Sequence, residues 1–192
     1  NFIFIMLSLS FSQIQYGGQP SYLVNDEELK MYDVDHLNKL ENELDPMVLH
    51  YADEYLVDID VLEKSIKINK PNETIYTLGI RSIGAKALGF IFDEFHLTEN
   101  SKMFIYSLDR TMHIGAFNSK NNNPSESLAT AVVKGESVII ELTVPNNEID
   151  NIKLHLSIVT HDFLDLMNFY LEGESDRVDC NDNVACSSAN DW

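Results

Sequence analysis

The sulfur chemistry of this chain is confined to one place. Cys180 and Cys186 both lie in CNDNVACSSANDW, residues 180–192, with five residues between them. That spacing is wrong for C-x-x-C redox or zinc work, where a tight turn brings both thiols to one metal or one disulfide. A mutual Cys180–Cys186 bridge would close only a small loop and stabilise little. Asp182 and its neighbours offer oxygen ligands, but the Gly and closing Glu of a calcium loop are missing from the stretch. Serine, histidine and aspartate are all present and could together hydrolyse an acyl bond. A nucleophilic serine needs a strained turn that exposes Oγ beside backbone donors, yet neither G-x-S-x-G nor G-D-S-G-G occurs. His161 and Asp162 end a predicted strand, where sequence neighbours point to opposite faces and are poorly placed as a dyad. His36, His50, His96, His113 and His155 make neither H-E-x-x-H nor a Cys/His cluster. The residues therefore assign no catalytic group, no metal and no cofactor within the chain. Tyr76, Tyr106 and Phe117 are candidates for a sugar-stacking platform, although alternating strands place such aromatics more readily in a core. Asn72-Glu73-Thr74 is a glycosylation sequon.

Elements of several kinds must position these groups. NFIFIMLSLSFSQ is an apolar run of signal-peptide length, too short to span a bilayer. Ser10 and Ser12 are the small residues a signal peptidase requires, which puts the cut between Ser12 and Gln13. With no initiator Met and no basic n-region, residues 1–12 read as a signal peptide truncated at its start. Secretion into an oxidising compartment makes disulfides the expected fate of both cysteines. Residues 13–71 read as an acidic, partly helical pro-segment. Asn25 is a helix cap, Glu28 closes a capping box, and Leu29, Tyr32, Leu37, Leu40 and Leu44 form one apolar stripe ending at Pro46. VDIDVLEKSIKI fits helix or strand.

Residues 72–162 change character. TIYTLGIR, ALGFIFDEF, KMFIYSL, TMHIGAFN, LATAVV, SVIIELTV and IKLHLSIVT alternate apolar and polar positions between short turn signals. Leu88, Phe90 and Phe92 share a face, as do Val138, Ile140 and Leu142, and Leu154, Leu156 and Ile158. The expected fold is mainly β, an antiparallel, jelly-roll-like β-sandwich preceded by the acidic segment. Residues 163–179 read as a linker. Net charge is −18 and the pI about 4.4, a surface that repels phosphates and anionic lipids. Nucleic acid is thereby excluded as a partner, and no membrane insertion is expected once the signal is removed.

TLGIRSIGAKALGFIFDEFHLTENSKMFIYSLDRTMHIGAFNSKNN, residues 77–122, resembles the N-terminal domain of secreted bacterial trypsin-like serine proteases of the lysyl endopeptidase type. That family shows an L-x-I-x-S-P-G-A turn, a strand with F-x-x-F and an L-F-I-Y strand. Ile83 stands here in place of the turn proline. Its mature protease domain opens on C-N-x-D-V-x-C-P-E-G. Cys180, Asn181, Val184 and Cys186 stand in matching places, with Asn183 for the Asp and Ser187-Ser188-Ala189 for P-E-G. The resemblance implies that residues 180–192 begin a protease domain whose triad lies further on, with a preference for basic residues before the cut. It implies that Cys180 and Cys186 each pair with a downstream cysteine, and that the partner of this region is its own protease domain. Arg177-Val178 is then the candidate processing bond. A secreted β-sandwich binding module for glycan or protein, with no protease attached, is the alternative.

Overall fold

A computed structural model of the chain describes residues 15–41, 49–165 and 168. The described residues are mainly β. Strands β1 (Met31–Asp33), β3 (Ile66–Asn69), β4 (Glu73–Arg81), β6 (Lys102–Ser107), β7 (His113–Phe117) and β10 (Ser137–Pro145) make a six-stranded sheet. Its order is β1-β4-β10-β6-β7, with β3 also on β4. The five-stranded sheet holds β2 (Ala52–Asp60), β5 (Ala87–His96), β8 (Leu128–Ala129), β9 (Val133–Lys134) and β11 (Lys153–Asp162), in the order β2-β11-β5-β8 with β9 also on β5. Every pairing is antiparallel except β1 with β4. One hydrophobic cluster draws on both sheets, from Leu78, Ile105 and Ile140 on the first to Phe90, Leu156 and Val159 on the second. A smaller cluster of Phe104, Tyr106, Ala116 and Ile139 lies on the other face of the six-stranded sheet.

The β-strands follow the alternation closely. Val138, Ile140 and Leu142 all enter the main cluster, while Ile139 belongs to the smaller one. Two strands depart from it. LATAVV is split into β8 and β9, which pair separately with β5. In β11 the register shifts between Leu156 and Ile158, so Val159 takes the core position expected of Ile158. Ile158 instead pairs with Leu56 on one side and Ile91 on the other.

Over the described residues 25–41, the helix expected to run to Pro46 is corrected. Asn25 accepts the Glu28 N–H at 3.0 Å in a turn, and the chain then runs into β1 rather than a helix. The stripe is dispersed: Leu29 packs on the smaller cluster, Tyr32 on the main one, and Leu37 is 91% exposed. Gly79 supplies the physical reason. Without a side chain, it lets Met31 and Leu29 close on β4, and backbone pairing there outweighs a weak helical pattern. Leu44 and Pro46 lie outside the described residues. Among the described residues of the expected pro-segment, the helical turns are Asp35-capped His36–Asn38 and α1 (Val61–Lys64), which Asp60 caps by accepting the Glu63 N–H at 2.8 Å. VDIDVLEKSIKI thus contains the end of β2, one helical turn and the start of β3.

The division expected at 71/72 falls inside the β3–β4 hairpin, where the Lys70 N–H donates to Glu73 O at 2.8 Å. Strands from the expected pro-segment therefore share both sheets and the core with the rest. No helix among the described residues is long and apolar enough to cross a membrane.

Candidate functional site

A buried serine joins three parts of the chain. Ser82 follows β4, and its backbone fixes the turn: its N–H donates to Glu136 O at 2.9 Å and its carbonyl accepts from Ala85 N–H at 3.1 Å. The side chain is thereby directed inward. Its Oγ lies 2.8 Å from His36 Nε2 and 2.7 Å from His161 Nδ1, and Ser82 is 0% exposed. His36 stacks on Tyr55 with ring centroids 4.7 Å apart and meets the His161 ring edge-on at 5.4 Å. Behind Tyr55, Asp53 is held by Lys39 Nζ at 2.8 Å and His50 Nε2 at 3.2 Å. Lys39, His50, Asp53, Glu54 and Thr160 line a cleft of about 210 Å³, which Ser82, His36 and His161 do not reach.

The chemistry follows from the donor count. A hydroxyl has one proton and two lone pairs, so between two ring nitrogens of which one is bare and one carries hydrogen it donates to the first and accepts from the second. That ordering fixes a tautomer on each ring. Burial pushes the His161 pKa below the ordinary histidine value, and the charge of His36 adds to the effect, against the pull of Asp53 and Asp162. Burial likewise raises the Tyr55 phenol, reinforced by the charge of Asp53. The arrangement can hold a proton between two rings. It cannot present Oγ to a substrate carbonyl, because attack requires the two atoms to approach within about 3–3.5 Å.

His161 and Asp162 do separate work. The Asp162 Oδ1 accepts the N–H groups of Leu164 and Asp165 at 2.8 and 3.0 Å, closing the turn after β11. His155 is clamped on the surface, Nδ1 at 2.6 Å from Asp93 and Nε2 at 2.9 Å from Asp58. His113 stands edge-on to Phe104, and His96 Nδ1 lies 3.4 Å from the Asn122 amide. No group of three or more His, Cys, Asp or Glu among the described residues is placed to hold a metal ion. Tyr76, Tyr106 and Phe117 are all buried, which corrects the sugar platform: each packs in one of the two clusters. Asn72 is exposed at the β3–β4 turn. Ser12, Gln13, Arg177, Val178, Cys180, Asp182 and Cys186 lie outside the described residues.

Sequence reasoning did not find the Ser82 group. Its histidines stand 46 and 79 residues away, and no local motif connects them. No family model and no solved structure matches this chain.

Proposed function

We propose that this chain is the N-terminal pro- or accessory region of a secreted serine endopeptidase, whose catalytic domain begins at the Cys180–Cys186 segment. The two sheets and their shared core form the jelly-roll-like sandwich of that region. The observation that carries the reading is the match of Cys180, Asn181, Val184 and Cys186 to the opening of that family's protease domain. Hydrolysis would run through an acyl-enzyme in that domain. Ser82, whose hydroxyl two imidazoles hold in the interior, is not its nucleophile. Support also comes from the residues that carry the resemblance, 77–122, which form the second half of β4 and the strands β5 to β7. The buried aromatics leave the glycan-binding alternative without its platform.

The test is the coding sequence beyond Trp192, followed by peptide mapping of the secreted protein without reduction. A T-A-A-H-C block and a later G-D-S-G-G or G-G-S-S-G block are expected, with Cys180 and Cys186 each linked to a downstream peptide. A second sandwich in that place, or a Cys180–Cys186 link, would sink the proposal.

A further inference from the structure

The outer face of the six-stranded sheet is crossed by residues 15–24, which carry no strand or helix of their own. Beneath them lie Phe104, Tyr106, Ala116 and Ile139. We propose that this face is a peptide-binding site for an irregular, tyrosine-bearing segment, filled in cis by residues 16–24 and able to take the same sequence in trans. The inference does not depend on the protease reading.

Three features build the site. The first is a sheet edge. The Tyr16 N–H donates to Ala116 O at 3.1 Å, and the Ala116 N–H donates to Gly17 O at 3.3 Å, so the segment pairs with β7 through backbone alone. Gly18, at φ +100°, then passes flat over Phe104, where a Cβ would sit 3.4 Å from the ring. The second feature is Glu141, 2% exposed on β10. Its Oε1 accepts the Ser21 N–H at 2.6 Å, and its Oε2 accepts the Tyr22 N–H at 3.2 Å and the Tyr106 hydroxyl at 3.3 Å. A carboxylate that deep requires its lone pairs to be met, and two of its three donors here belong to the crossing segment. Departure of the segment would remove two of those donors and open Glu141 and the apolar cluster around it to water, so the face favours being occupied.

The third feature reads a side chain. The Tyr22 ring meets Tyr106 edge-on with centroids 4.9 Å apart, and the Arg110 guanidinium lies 5.7 Å from the Tyr22 centroid. Arg110 Nη2 also donates to Val24 O at 3.2 Å. The face holds more polar capacity than the cis segment engages. Thr77 stands directly across from Glu141 in the β4–β10 register, is 1% exposed, and its Oγ1 meets no hydrogen-bond partner among the described residues. Backbone pairing, a carboxylate that counts two successive amides, and an aromatic slot together define the ligand: a peptide with left-handed backbone at its glycines and at a tyrosine on the second of those amides.

The test uses the full chain with a specific protease cleavage sequence inserted after Glu27, in the exposed turn. After cleavage, a fluorescein-labelled QYGGQPSYLV peptide is titrated and followed by anisotropy. Saturable uptake is expected, competed by the unlabelled peptide. A peptide N-methylated at the positions of Ser21 and Tyr22 should bind roughly ten-fold more weakly or worse, since it removes both donors to Glu141. Tyr22→Ala in the peptide should weaken uptake similarly. These substitutions lie in the ligand and leave the protein's folding untouched. Absence of uptake, or equal uptake of the N-methylated peptide, overturns the site.

Discussion

Ser82 shows how one hydroxyl can tie distant parts of a chain. Replacing it with alanine leaves His36 Nε2 and His161 Nδ1 facing a methyl group, and both lose their hydroxyl partner in the interior. Such a loss costs about 1–3 kcal/mol, and Ser82→Ala should lower unfolding stability by that amount in urea titrations. The imidazoles also set opposing pH dependences. His161 is depressed by burial, so its contribution is present above the unfolded value of about 6.5 and is lost as pH falls through the lower folded value. His155 is raised, first by its hydrogen bond to Asp93 and then by Asp58, against partial desolvation. Its contribution is complete below about 6.5 and is lost as pH rises through the higher folded value. Stability from these two rings therefore peaks near pH ~6.5. An Asp58→Asn/Asp93→Asn double variant should flatten the alkaline side of that peak and leave the acid side unchanged. A variant with a flattened acid side instead would remove the assignment.

At the scale of elements, two glycines set the packing of the six-stranded sheet, by different means. Gly115 in β7 has φ +119°, and a Cβ there would lie 2.7 Å from the Met103 carbonyl oxygen, which is backbone. Gly79 in β4 would bring a Cβ to 2.7 Å from Met31 Sδ, the far end of a flexible side chain. Gly115→Ala should therefore cost at least about 2 kcal/mol, combining strain with a contact that cannot yield. Gly79→Ala should cost less than about 1 kcal/mol, because Met31 can move away. Denaturant midpoints of the two variants decide this, and equal losses would mean that β1 is held more rigidly than its thioether suggests. The bulge in β11 acts at the same scale. By slipping one residue between Leu156 and Ile158 it turns Ile158 outward, level with Leu56 and Ile91, and places His155 between Asp58 and Asp93.

For the molecule as a whole, charge is the dominant long-range property. A net charge of −18 gives any association with a cationic surface a strong electrostatic component, screened over about 10 Å at 0.1 M salt. If the region occupies a protease site built for a basic side chain, the isolated region should inhibit that protease in trans. The inhibition should weaken as salt rises. Inhibition indifferent to salt, or none at all, would exclude the acidic surface as the contact.

Local pattern was enough for the strands from β4 to β7 and for β10, because alternation between a buried and a covered or solvated face is written in adjacent residues. It was not enough for residues 25–41, where helical spacing competed with a parallel pairing to Gly79 that no local residue announces. Nor could it find Glu141. Alternation put that side chain opposite Val138, Ile140 and Leu142, on a face that reads as solvated, and only the crossing of residues 15–24 buries it. The Ser82 group is of the same kind. Sequence determines which residues can pair locally, whereas the meeting of His36, Ser82 and His161 exists only once two sheets close on each other, because hydrogen bonds between distant residues depend on the path of the whole chain.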